Sequence, residues 1–242
     1  MVTLKATYEN RKQEIIKFVG LMSFLEKKKA FPEENEVNFD EFFYNGVVEI
    51  QLSYQELINI LKSNVSLMIY NLIEFTVSGL IDCIYDEIRM RNLTYLDVNE
   101  SIRGIWRKVI LKSTRNNNVN FDTFLRKNEE IIAHILANRP LDMHARNSMP
   151  SGNLDGISIR ETFELHGIQI KTNSQNYRPD ILGNIKESRN NLAHGSVSFV
   201  EAVRDNSIID IETNVRFITA FLEELINTIV EFIENEKYKI QV

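Results

Sequence analysis

YQELINILKSNVSLMIYNLIEFTVSGLIDCIYDEIRM, residues 54–90, is the stretch whose reading decides the fold. Leu57, Ile60, Leu61, Leu67, Met68, Leu72, Ile73, Phe75, Leu80 and Ile81 recur through it at helical spacing. Apolar side chains occupy nearly every side of the cylinder they would form, which is the pattern of a central, largely buried helix. Just ahead, Ser53 and Glu56 are spaced as a capping box, each side chain able to satisfy the other's backbone N–H.

Working outward, residues 4–30 read as an amphipathic helix, with Ile15, Ile16, Phe18, Val19, Leu21, Met22 and Leu25 set against charges. Phe31-Pro32-Glu33-Glu34-Asn35 breaks that pattern, and Val47–Leu52 reads as a short extended segment. Beyond the central helix, two more are predicted over about 97–113 and 121–137. The stretch from Asn138 to Asn153 holds Pro140 and Pro150 and is expected to be a mobile loop. Asp155 to about Leu165 follows as a helix capped by Asn153 or Asp155, with Gly167 near its stop. The next runs from Pro179-Asp180 to His194 with Gly195 placed to end it. The last covers about 207–237, on Ile211, Val215, Ile218, Leu222, Leu225, Ile229 and Phe232. The fold class is therefore all-α, read as one helical domain over 53–242 with an N-terminal helical extension over 1–52.

Composition supports this. Nine Gly and four Pro in 242 residues are too few for the many turns of an all-β architecture. The lone cysteine, Cys83, cannot form a disulfide within the chain and fits a reducing compartment. The opening residues lack the apolar core and cleavage site of a signal peptide. No apolar run approaches the roughly 18 residues needed to cross a bilayer. The expectation is a cytoplasmic protein with no membrane partner. A net charge of −6 argues against nonspecific coating of nucleic acid, yet leaves room for a local basic site.

The most pointed signal is Arg189-Asn190-Asn191-Leu192-Ala193-His194-Gly195. A guanidinium, two amides and an imidazole within six residues suit the cleavage of RNA by its own 2′-hydroxyl. That reaction needs one proton removed and another delivered, which histidine does near neutrality. It also needs negative charge held at phosphorus, which arginine does with a forked, permanent cation. It needs no metal. Geometry adds a constraint, because five residues of α-helix turn about 500° and leave Arg189 and His194 about 140° apart. Asn190 and His194, four apart, share a face, so the amide could orient the imidazole. Aiming both charged groups at one phosphate requires either an unwound helix end at Gly195 or a groove between two copies. The bland alternative is a surface helix end whose Arg and His favour the helix dipole.

At these residues the chain resembles the HEPN superfamily (higher eukaryotes and prokaryotes nucleotide-binding domains). Its hallmark of Arg, a polar residue, a short variable run and His is matched by Arg189-Asn190 and His194. The resemblance to a bacterial branch of HEPN-like nucleases extends to Gly152-Asn153-Leu154-Asp155 with Ile159-Arg160. It also takes in Asn176-Tyr177-Arg178-Pro179-Asp180 and the helix around Leu67–Glu74. It implies a HEPN-like helical bundle, usually dimeric, acting as a metal-independent endoribonuclease in toxin or antiviral roles. Arg189 and His194 would be catalytic and Asn190 supporting. Ser196 stands where some HEPN toxins carry a modifiable Tyr, which puts control of that kind in doubt.

Further contacts to RNA are expected from Arg160 and from Arg103, Arg107 and Lys108. The last three lie in a run with no acid between Ser101 and Phe121, where Trp106 would be a stacking surface. Against this stand a surface pair of Arg160 with Glu164, and a solvated helix face with Trp106 in the core. His134, His144 and His166 form no metal-ligand pattern, His166 reads as a helix cap, and no metal or cofactor is expected. Expected partners are RNA, a second copy of the chain, and an antitoxin or defence-system protein. The alternative function is a non-catalytic HEPN module binding RNA, nucleotide or a protein partner; a third is a structural interaction protein.

Overall fold

Residues 54–90 form one unbroken helix of 37 residues, as their periodicity dictates. The structure, a computed structural model, describes residues 1–30, 54–114, 121–149 and 153–241. Among them are eight α-helices: α1 (Val2–Ala30), α2 (Tyr54–Met90), α3 (Glu100–Ile110), α4 (Phe121–Leu136), α5 (Ala145–Ser148), α6 (Gly156–Leu165), α7 (Pro179–Ala193) and α8 (Ile208–Glu234). A 3₁₀ turn, Leu111–Thr114, extends α3. No strand occurs among the described residues, only two isolated bridges, Thr94 with Pro140 and Val98 with Lys239. The all-α expectation is met. The extended segment expected at Val47–Leu52, the break at Phe31–Asn35 and the Ser53 half of the capping box lie outside the described residues.

One correction concerns α2. By length and composition Gln55–Met90 is long and apolar enough to cross a bilayer, contrary to the expectation that no stretch would be. Its apolar side chains are instead taken up by the protein's own interior: Val65, Ile69, Tyr70, Ile73, Val77, Leu80, Ile84 and Ile88 are buried.

The chain divides into two compact units. The first comprises Met1–Lys5, Glu74–Tyr177 and Phe221–Val242; the second comprises Ala6–Ile73 and Arg178–Ala220. The divisions fall inside α1, α2 and α8, and between Tyr177 and Arg178 just ahead of α7.

In the second unit, Tyr8, Ile15, Val19 and Met22 line one face of α1 and are buried. The Tyr8 hydroxyl donates to the Thr219 carbonyl at 3.0 Å, which satisfies its polar end within the core. Buried polar groups on α2 hold the α7–α8 connection. Lys62 Nζ donates to the Asn206 carbonyl at 2.7 Å and Ser63 Oγ to the Phe199 carbonyl at 2.6 Å. Ser207 and Asp210 then open α8 with a reciprocal cap, Ser207 N donating to Asp210 Oδ2 and Asp210 N to Ser207 Oγ.

In the first unit, α3 starts at Asn99 rather than near 97. Asp97 is spent on a turn, accepting from Thr94 N and Oγ1, and Asn99 Oδ1 caps Ile102 N. The carboxyl of Asp97 is held below its ordinary range by those Thr94 bonds. The C-terminal tail is sewn to this turn, through Asn99 N to the Tyr238 carbonyl and Ile240 N to the Asp97 carbonyl. The expectation of a mobile 138–153 loop is corrected for its described part. Leu141, Met143 and Ala145 are buried, Ala145 N donates to Asp82 Oδ1, and Arg89 donates to the Met143 carbonyl. Of the two candidate caps for α6, Asp155 is the one used, in a capping box with Ser158. Gly167 ends that helix at φ +78°, its Cα so close to Ser101 Oγ that a Cβ would sit at 3.0 Å.

His166 is the C-cap of α6 and is buried. Its Nδ1 lies 2.7 Å from the Thr162 carbonyl and must donate there. Nε2 is then the acceptor for the Tyr85 hydroxyl at 2.6 Å, and that hydroxyl also meets Ser148 Oγ at 2.9 Å. Burial holds the imidazole neutral, its pKa pushed down to about 4, and drives the Tyr85 phenol well above its ordinary value.

Two outcomes follow from these contacts. The folded state binds fewer protons at His166 than the unfolded chain does. Stability is therefore complete above the unfolded pKa near 6.5 and is lost as pH falls towards 4, by on the order of 3 kcal/mol. Urea midpoints measured from pH 7.5 to 5 should fall, and His166→Gln should flatten that slope. Asp155→Ala should lower unfolding free energy by about 1 kcal/mol in the same titration at pH 7.5.

Candidate functional site

Pro179 opens α7 at its first turn, where a missing N–H costs nothing. Beside it Arg178 clamps Asp180 with two bonds, Nε to Oδ1 at 3.0 Å and Nη2 to Oδ2 at 2.6 Å. These bonds hold the Asp180 carboxyl below its ordinary range at the positive end of the helix dipole. The helix buries Ile181, Leu182, Ile185 and Leu192 on one face. It closes at Gly195 (φ +67°), with Gly195 N donating to the Leu192 carbonyl and Ser196 N to the Asn191 carbonyl. That pair of bonds is the left-handed glycine stop that the sequence promised.

The stop removes one option left open by the sequence. Ala193 is still helical and His194, the C-cap, keeps right-handed angles of φ −88° and ψ −2°. The end is not unwound before His194, so the divergence of about 140° from Arg189 stands.

The two groups consequently meet different surroundings. Arg189 is on the buried side of α7, half-buried, with its guanidinium 4.8 Å from the centre of the Tyr70 ring. Tyr70 is wholly buried, so this cation–π contact is sheltered from water. Asn190 Oδ1 accepts from Arg189 Nη1 at 3.1 Å. The amide oxygen thus serves the guanidinium, where the shared face of positions 190 and 194 suggested that it would serve the imidazole. His194 is exposed, and its ring makes no hydrogen bond among the described residues.

A cleft of about 310 Å³ runs along a third side of α7, within the second unit. Asn184, Ser188 and Asn191, about one helical turn apart, line it together with Ser66 of α2, Asn206 just ahead of α8 and Asn214 within α8. Of these residues, sequence reasoning singled out Asn191 alone, as one of the motif's two amides. Their signal was a polar stripe at spacings of four and three within the motif helix, masked by the more conspicuous Arg and His.

The other RNA-contact candidates belong to the first unit. Arg103 Nε and Nη2 donate to the carbonyls of Tyr95 and Leu96 at 2.8 and 2.9 Å. Arg107 Nη2 reaches Glu100 Oε1 at 2.5 Å, so an acid just upstream of the acid-free run neutralises it. Lys108 is exposed and unpaired among the described residues. Arg160 Nε is 3.6 Å from Glu164 Oε1, the surface pair that the spacing allowed. Of the two readings of Trp106, the core one holds and the stacking surface does not: it is 4% exposed, wedged between Tyr95 and His134 at ring separations of 5.6 and 4.8 Å. No group of three His, Cys, Asp or Glu side chains that could hold a metal occurs among the described residues.

The blocks flanking the motif also have structural work. Asn176 Nδ2 donates to Glu224 Oε1 at 2.6 Å, and the Tyr177 hydroxyl donates to the Gly156 carbonyl at 3.0 Å, beside the Asp155 cap. No curated protein and no solved structure matches the chain. A family model does, over residues 2–238, and it is that of the HEPN_MAE_28990-like HEPN domains. A match of that extent, on an all-helical chain whose motif helix carries Arg189, Asn190 and His194, places the protein in the HEPN_MAE_28990-like HEPN family.

Proposed function

We propose that this HEPN protein is a metal-independent endoribonuclease whose working site forms between two copies of the chain. The observation that carries this reading is the split on α7. Arg189 is held against Tyr70 and Asn190, while His194 stands about 1.4 turns on, exposed and with no hydrogen-bond partner among the described residues. A fixed cation and a free imidazole are the two groups that cleavage by the 2′-hydroxyl needs. A two-fold axis beside the exposed end of α7 would set a second Arg189–His194 pair opposite the first.

In such a site one imidazole takes the 2′-hydroxyl proton as the 2′-oxygen bonds to phosphorus. The P–O5′ bond breaks, and the second imidazole, protonated, delivers its proton to the departing 5′-oxygen. The products are a 2′,3′-cyclic phosphate and a 5′-hydroxyl. Arg189 holds the charge that builds on the non-bridging oxygens, with Asn190 fixing its plane. Lys108, Arg103, Arg107 and Arg160 are proposed contacts to the RNA backbone, and of these four Lys108 alone has no bond or ion pair among the described residues. Restraint by an antitoxin or use in antiviral defence belongs to the same proposal.

The test is purified protein incubated with single-stranded RNA in excess chelator. Cleavage with cyclic-phosphate ends is expected for the wild type. His194→Ala should lower the rate by about 100-fold or more with unchanged circular dichroism. Arg189→Lys, which keeps charge but loses the planar fork, should lower it by at least about 10-fold. RNA bound but left whole would replace the enzyme with a non-catalytic binding module.

A further inference from the structure

The cleft beside α7 has a chemistry distinct from that of the Arg–His pair. Its rim is made of hydroxyls and carboxamides: Ser66, Asn184, Ser188, Asn191, Asn206 and Asn214. Among the described residues none of these side chains is engaged in a hydrogen bond within the protein. The Ser188 hydroxyl oxygen is buried and still lacks a partner. A buried donor left unmatched costs about 1–3 kcal/mol, so its natural complement is a group that enters the cleft. Several amides converging on one hollow present alternating N–H donors and carbonyl acceptors, with the buried aliphatic side chains of Ile185 and Ile211 alongside them.

The charge of the lining selects among occupants. Among the described residues no Lys or Arg lines the cleft, and Glu187 is the one charged residue that does. A phosphate would find no cation there, and the rim's polar groups would lie unmatched against a purely apolar ligand. What fits is a neutral, flat heterocycle that offers donors and acceptors along one edge and an aromatic face to the aliphatic floor. A volume of about 310 Å³ stands at the small end of ligand sites, enough for one base and part of its sugar. Amide side chains pair with base edges in this way, as Asn does bidentately with adenine.

Position ties the cleft to the chemistry. Asn191 precedes His194 by three residues, an axial rise of about 4.5 Å. A base held at Asn191 would therefore bring its ribose alongside the imidazole. We propose that this cleft is a nucleobase pocket, which receives an unstacked base of single-stranded RNA and sets its 2′-hydroxyl before His194. The pocket rests on the ribonuclease reading for its role but not for its ligand, since base binding needs no cleavage. Selection by the pocket would make cutting depend on the base at the scissile position.

The experiment uses the full chain and the four uncharged ribonucleosides, followed by saturation-transfer NMR and equilibrium dialysis. The expected result is saturable binding of at least one nucleoside, undisturbed by a tenfold excess of inorganic phosphate. Asn191→Ala and Asn214→Asp, each checked for an intact helical spectrum, should weaken that binding at least tenfold. In RNA digests they should redistribute the cut sites. No saturable nucleoside binding, or binding equally strong in both variants, overturns the pocket. RNA cleavage without nucleoside binding would remove the pocket and leave the ribonuclease. Nucleoside binding without cleavage would do the reverse.

Discussion

The contact on which the site depends is the Arg189 guanidinium resting on the Tyr70 ring. Together with Ile181, Leu182, Ile185 and Leu192, buried on the same side, it sets the rotation of α7 about its axis. Once that rotation is set, regular helical geometry decides the rest. Leu192 and Ile185 go to the core, Asn191 and Ser188 go to the cleft, and His194 goes to solvent. The glycine stop at Gly195 preserves the arrangement to the last residue, since a frayed end would release His194 from its angle to Arg189. Separation of cation and imidazole is thus a consequence of a well-formed helix, and under the proposed ribonuclease reading it would make the motif half of a site.

The second unit protects this helix by pinning the chain that follows it. Lys62 and Ser63, both buried on α2, bind the carbonyls of Asn206 and Phe199, and Ser207 with Asp210 restarts the helix at once. Apolar packing alone would leave the α7–α8 connection free to slide; directed hydrogen bonds from buried donors do not. The first unit uses the same device around Tyr85, where Ser148, His166 and Thr162 form a chain of polar contacts inside the core. Full satisfaction makes such a chain rigid, and it makes protonation of His166 costly.

Much of this was legible in the sequence, for identifiable reasons. The extent of α2 followed from apolar periodicity, the ends of α6 and α7 from Asp155, Pro179, Gly167 and Gly195, and the conflict between Arg189 and His194 from 100° per residue. Hydrogen-bond partners that depend on tertiary packing were less accessible. Periodicity put Asn190 beside His194 but could not reveal that its oxygen turns to Arg189. The basic run around Trp106 looked uncommitted because Glu100 and the Tyr95 and Leu96 carbonyls lie outside it in sequence. The amide-lined cleft escaped notice because an asparagine on a polar face carries no signal until its neighbours from α2 and α8 are in place. The 138–149 stretch was misread as loose since its anchors, Asp82 and Arg89, lie on a distant helix in the chain.

A motif divided by its own helix makes the number of copies in the active species the central question. The most direct measurement is the initial rate of chelator-resistant RNA cleavage over a wide range of protein concentration, with sedimentation recorded in parallel. The account predicts a rate that rises with the square of concentration while the chain is monomeric, becoming linear where dimers dominate. A rate linear throughout, with sedimentation showing a monomer, would contradict it.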